Sequence, residues 1–105
     1  MANLFDIEEE NPIKSDYEVD TVYQNTRSKK LLIIATTANG SSGRDWIKIR
    51  AYSDNATPPT TFVSGNKAGT GSNDFSAVAF TVPPDYYFKV EVDNGSIGRY
   101  ESWEV

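Results

Sequence analysis

The sequence contains no cysteine and no histidine. Without cysteine there is no disulfide framework and no thiolate to bind a metal or attack a carbonyl. Without histidine the commonest general base and the commonest metal ligand are both gone. An enzyme built from this chain would have to work with carboxylates, lysine and tyrosine alone, so we expect neither catalysis nor a cofactor. Long apolar runs are missing too. Nothing approaches the ~18 to 20 apolar residues that cross a bilayer as a helix. The opening MANLFDIEEE has no basic start and no apolar stretch of a secretory signal. The expectation is a soluble product made in the cytoplasm, without membrane insertion.

What is present fits one domain of 105 residues. A chain this long buries roughly 65% of the surface it exposes when unfolded, enough to fold alone with a thin margin. Charge is unevenly spread. Residues 1–20 carry Asp6, Glu8, Glu9, Glu10, Asp16, Glu18 and Asp20 against Lys14, while the other 85 residues hold eight acids and nine bases. Such an arm would be repelled by a phosphate backbone, so nucleic acid is not an expected partner. Leu4, Phe5, Ile7 and Ile13 interrupt the acids with apolar anchors, and Pro12 forbids one continuous helix. The arm reads either as a frayed terminus or as an extended docking segment over 1–20, ahead of a folded domain over 21–105.

From residue 19 the pattern is one of strands. VDTVYQ is short and β-rich, and KLLIIATT at 30–37 is apolar on both faces, Leu31 and Ile33 pointing one way and Leu32 and Ile34 the other. A half-exposed strand would alternate, so this one is either central between layers or covered by a partner chain. We therefore expect Leu31, Leu32, Ile33 and Ile34 to form an inter-subunit strand. Asn39-Gly40 is a hairpin-type turn signal. In WIKIRAYS, Ile47, Ile49 and Ala51 alternate with Trp46, Lys48, Arg50 and Tyr52. That outward face is either a binding surface or a ladder whose aromatics cover lysine and arginine stems. Residues 54–74 are poor in apolar side chains, with a short strand expected near 61–64. SAVAFTV puts Val78, Phe80 and Val82 inward, and YYFKVEV does the same for Tyr86, Phe88, Val90 and Val92. IGRYESWEV supplies the last strand. With about seven strands and turn signals at roughly ten-residue spacing, the expected fold is all-β, a single antiparallel, jelly-roll-like β-sandwich.

Pro83-Pro84 between two such strands has a mechanical reading. Neither proline donates an N–H and both fix φ, so the ladder must stop there and restart in a set register. Asp85 offers a side-chain acceptor for the turn.

Other motifs carry little chemistry. The glycine-rich SGNKAGTGSND lacks the order of a phosphate-binding loop and leads into a strand instead of a helix. Asp6 and Glu8 to Glu10 lack the glycine-turned spacing of a calcium loop. Nothing shows two carboxylates facing each other across a cleft, as glycoside hydrolysis needs. The triplets beginning at Asn39, Asn55 and Asn94 match the glycosylation pattern but read as turns.

YQNTRSKKLLIIAT at 23–36, FTVPPDYYFKVEV at 80–92 and the closing ESWEV together resemble the C-terminal tip domains of tailed-phage tail fibres and related small tail proteins. Tyr23, Asn25, Leu31, Phe80, Val82, Pro83, Pro84, Tyr87 and Trp103 match that pattern in kind and order, over residues 22–105. Asp85 stands where the family has glycine, which implies a type I turn in place of type II, and Lys30 stands where it often has proline. The resemblance implies a β-sandwich that assembles as a homotrimer at a fibre tip, held to other virion proteins and contacting host-surface glycans. Trp46, Tyr52, Tyr100 and Trp103 are the candidate recognition aromatics, and Leu4, Phe5, Ile7 and Ile13 the candidate docking anchors. A capsid decoration protein and a small carbohydrate-binding module are the alternatives.

Overall fold

The structure, a computed structural model, describes residues 11–38, 46–69 and 74–105. Seven strands follow one another among these residues: β1 (Tyr23–Gln24), β2 (Leu31–Thr37), β3 (Ile47–Asp54), β4 (Phe62–Ala68), β5 (Ala77–Val82), β6 (Tyr87–Asp93) and β7 (Ile97–Glu104). They form two antiparallel sheets, one ordered β1-β6-β3-β4 and the other β5-β2-β7. This is the expected all-β sandwich. Only β3 and β4 are successive strands of one sheet; every other connection carries the chain across to the opposite layer. Asn39-Gly40 lies outside the described residues, and because β2 and β3 belong to different sheets the turn signal does not make a hairpin of them.

Alternation explains which side chains meet between the layers. Ile47, Ile49 and Ala51 of β3, Phe88 and Val90 of β6, and Val78, Phe80 and Val82 of β5 are buried, as the sequence pattern predicts. Tyr86 is a correction. It precedes β6 within the turn and is 37% exposed instead of pointing inward. The sequence also underestimates β4, which runs to Ala68 because it pairs along β3 from Tyr52 to Ile47.

The doubly apolar β2 is central in its sheet. Leu31, Ile33 and Ala35 join the core, while Leu32 on the outer face sits between its cross-strand neighbours Thr81 and Trp103 and is only 1% exposed. Leu31, Leu32 and Ile33 are thus sealed by their own chain, and only Ile34 is half-buried. The expectation that these four residues need a second copy to cover them is corrected: the central position supplies the cover.

The boundary at residue 20 is corrected as well. The Ile13 N–H donates to the Ser102 carbonyl at 2.7 Å and the Ser102 N–H to the Lys14 carbonyl at 2.9 Å, and the Asp20 N–H reaches Val90 O at 2.8 Å. The two bonds to Ser102 cap the edge of β7, which would otherwise offer an unpaired ladder, and the third ties the segment to β6. Tyr17 enters the core, its ring 4.7 Å from Tyr23, 4.9 Å from Tyr100 and 5.5 Å from Phe88 between centroids. Its hydroxyl shares a buried hydrogen bond of 2.9 Å with Ser102 Oγ. Residues 13–20 are therefore part of the sandwich.

The diproline corner moves the chain from β5 to β6, that is, from one sheet to the other. The Tyr86 N–H closes the turn on Pro83 O at 3.2 Å, which places Asp85 third of the four turn residues, with φ of 69°. A positive φ at that position is the type II arrangement. The type I turn implied by aspartate is corrected: Asp85 adopts the left-handed backbone that glycine would take. Its described bonds run through the main chain, N–H to Asn25 O at 2.7 Å and carbonyl from Gln24 Nε2 at 3.1 Å.

Candidate recognition surface

The outer face of the four-stranded sheet gathers the exposed aromatics and bases that the sequence divides among separate segments. β3 contributes Lys48, Arg50 and Tyr52, with Trp46 just ahead of it. Register then brings Lys67 of β4 and Asp93 of β6 beside Lys48, Glu91 beside Arg50, and Phe62 and Lys89 beside Tyr52. Phe62 and Lys67, both on β4, are the residues that sequence reasoning missed. Their signal was weak, since FVSGNKA carries glycine and asparagine where a strand favours β-branched residues.

Much of this face is internally satisfied. Lys89 Nζ lies 5.4 Å from the Tyr52 ring centroid and 3.0 Å from Glu91, while Arg50 pairs with Asp93 at 2.8 Å. Tyr52 meets Phe62 edge-on, with centroids 6.0 Å apart, and the Phe62 ring lies over Gly65, where an added Cβ would come within 2.5 Å of Cζ. Exposed ion pairs of this kind contribute ~0–1 kcal/mol each, and exposed cation–π contacts about 0.5–1 kcal/mol. Around Tyr52 the face is the ladder of covered stems, one of the two readings of its pattern.

At the Trp46 end the balance fails. Trp46 is 53% exposed, with Lys67 Nζ 5.1 Å from its ring. Lys48 and Lys67 are direct cross-strand partners, and like charges placed opposite each other destabilise a sheet. Asp93, on the other side of Lys48, is taken by Arg50. Among the described residues neither lysine has a salt bridge.

The remaining predicted residues scatter. Trp103 lies on the outer face of the other sheet beside Leu32. Tyr100 is corrected outright: it is 2% exposed, inside the core, and cannot stack on a surface ligand. Its hydroxyl is buried with no hydrogen-bond partner among the described residues, and burial pushes the phenol well above its ordinary pKa. Ile13 is 40% exposed on the segment bonded to β7, and Leu4, Phe5 and Ile7 lie outside the described residues.

At the far end of β3, Asp54 organises the 54–61 loop. One carboxylate oxygen accepts the Ala56 N–H at 2.9 Å, and the other accepts the Thr60 and Thr61 N–H groups at 3.0 and 2.9 Å and the Thr61 hydroxyl at 2.8 Å. These donors, the Thr60 N–H foremost, lower the Asp54 pKa to about 2. The role is architectural. Among the described residues no group of three or more carboxylates could hold a metal ion, and no helix is long and apolar enough to cross a membrane.

No protein-family model matches the chain, and no curated protein or solved structure shows significant similarity to it.

Proposed function

We propose that this chain is a structural protein of a tailed-phage virion, a short tail-fibre or fibre-tip subunit that attaches through its N-terminal arm and acts by binding, without catalysis. One observation carries the reading. Two of the three segments that bear the resemblance, at Tyr23-x-Asn25 and Phe80 to Tyr87, are far apart in sequence and form a single unit in space. Asn25 Nδ2 donates to Val82 O at 3.0 Å, its N–H donates to Tyr86 O at 2.9 Å, and its carbonyl accepts the Asp85 N–H at 2.7 Å. A shared structural unit supports a real likeness better than scattered β-rich composition does.

In this reading residues 1–10, with Leu4, Phe5 and Ile7 among the acids, dock the subunit. Deleting residues 2–10 from the gene is expected to abolish incorporation into particles while leaving the purified domain folded. The deletion must stop there, because Tyr17 belongs to the core. Particles that contain the truncated protein at normal copy number would remove arm docking, and absence of the full-length protein from purified particles would remove the virion reading itself. A copy number in the hundreds would favour capsid decoration. The exposed Trp46 ring favours one further reading, a carbohydrate-binding module, which predicts sugar binding that Trp46→Ala eliminates.

A further inference from the structure

The unbalanced lysine pair and the acidic arm are complementary, and their positions decide how they can meet. Lys48 and Lys67 face each other across β3 and β4, next to the exposed Trp46 ring. Residues 1–10 carry Asp6, Glu8, Glu9 and Glu10 together with Leu4, Phe5 and Ile7. The arm offers carboxylates for two ammonium groups that have no salt bridge among the described residues, and apolar side chains for an indole that stays exposed beside Lys67.

A chain cannot place its own arm there. The bridge between Lys14 and Ser102 is antiparallel, so the chain at Pro12 heads toward the Glu104 end of β7. The short connections from β5 to β6 and from β6 to β7 put Glu104, Val82 and Tyr87 at one end of the sandwich, and Asp93, Ile97 and Trp46 at the other. The sides differ as well. β5 lies against β3 and β4, which leaves β7 on the side away from the lysine pair. The protein measures 44 × 30 × 22 Å. Asp6 to Glu10 lie within five residues of Asn11, and five fully extended residues reach only about 18 Å.

We infer that the acidic arm of one copy docks on the Trp46–Lys48–Lys67 patch of a second copy. The inference rests on the preceding reading only in treating the arm as a docking segment, and names another copy of this chain as the thing docked upon. Since the arm leaves one end and its socket lies at the other, the contact is head-to-tail and must close into a ring or continue as a filament. It also gives the lysine pair a purpose: a repulsion tolerated in the free subunit is relieved when the neighbour's carboxylates arrive.

The test uses the full-length chain in sedimentation velocity over a concentration series. Wild type is expected to associate in a concentration-dependent way that weakens as salt rises. The double substitution Lys48→Glu/Lys67→Glu is expected to weaken association by about tenfold or more, since it sets like charges against each other across the contact. The triple substitution Glu8→Lys/Glu9→Lys/Glu10→Lys should do the same. Mixing the two variants should restore association, because each supplies the half the other lacks. Thermal melting confirms that both fold, and Lys48→Gln/Lys67→Gln serves as the milder version if the double glutamate does not. Wild type that stays monomeric at submillimolar concentration, or a mixture that fails to associate, would overturn the inference. So would binding of an acidic glycan by Trp46, Lys48 and Lys67 in a protein that never self-associates. Each of these outcomes leaves the presence of the protein in particles to be decided separately by the truncation above.

Discussion

Asn25 and Val82 are separated by 57 residues and joined by a 3.0 Å hydrogen bond from the asparagine Nδ2 to the valine carbonyl. The second Nδ2 proton goes to Lys29 O at 2.9 Å, and Oδ1 accepts the Arg27 N–H at 3.0 Å. The residue is fully buried. One amide side chain therefore holds both the turn after β1 and the last carbonyl of β5, and its main chain holds Asp85 and Tyr86.

Asn25→Ala keeps the main-chain bonds but takes the side-chain partner from Val82 O, which is buried, and from Lys29 O and the Arg27 N–H, which are partly buried. Each orphaned group costs about 1–3 kcal/mol, so Asn25→Ala should lower stability by about 3 kcal/mol or more, read as a drop in urea midpoint. Asn25→Asp should be worse at neutral pH, because it aims a carboxylate at two carbonyl oxygens, and should recover partly in acid as that carboxyl takes up a proton. Equal midpoints for wild type and Asn25→Ala would mean that the corner is held by its prolines alone.

Two tyrosine hydroxyls give opposite expectations. Tyr17 OH is bonded to Ser102 Oγ in the core, whereas Tyr100 OH is buried without a partner among the described residues. Tyr17→Phe strands Ser102 and should cost about 1–2 kcal/mol, while Tyr100→Phe removes an unsatisfied group and should be neutral or stabilising by up to about 1 kcal/mol. Thermal melts of the two variants side by side check the contrast. A large loss in Tyr100→Phe would show that the hydroxyl has a partner in solution.

These side chains also mark how far the sequence could be read. Period-two alternation exposes the inward residues of β3, β5 and β6, because each of those strands has one face on the core and one toward solvent. The same logic fails for Tyr17 and Tyr100, since a tyrosine is equally at home on a surface and in a core. For Leu32, apolarity on the outer face looked like a demand for a partner chain, and only the register with Trp103 and Thr81 shows the cover. The lysine pair was illegible for a related reason. Lys48 and Lys67 become neighbours through β4, a strand whose glycine and asparagine disguise it as loop. Pairing between strands is a long-range property, and local composition does not encode it.

Asp54 sets an expectation for acid. Its carboxyl sits at about 2 in the fold, below its ordinary value of 3.8, because of the four donors around it. A depressed carboxylate stabilises the fold above its unfolded pKa, and that contribution is lost as pH falls through the folded one. Loss is therefore expected between about pH 4 and pH 2. The Asp54 carboxyl resonance followed by NMR should titrate at about 2, below the ordinary 3.8, and Asp54→Ala should flatten the acid limb of the stability profile. Titration of Asp54 near 4 would mean that the 54–61 loop does not close on it in solution.

Asp85 supplies the sharpest check on the corner, since two turn types predict opposite rankings. With φ of 69°, aspartate sits where L residues are strained and glycine is not. Glycine gains by relieving that strain but loses about 0.4–1 kcal/mol through greater freedom in the unfolded chain, so Asp85→Gly should stay within about 0.5 kcal/mol of wild type. Valine is branched at Cβ and tolerates positive φ poorly; Asp85→Val should lose about 1–2 kcal/mol, the cost of the left-handed conformation for a residue with no local compensation. In a type I turn the third residue has negative φ, so valine would be tolerated and glycine would be the costlier change. Urea midpoints of the two variants decide between them: valine below glycine supports the positive φ at Asp85, and glycine below valine would refute it.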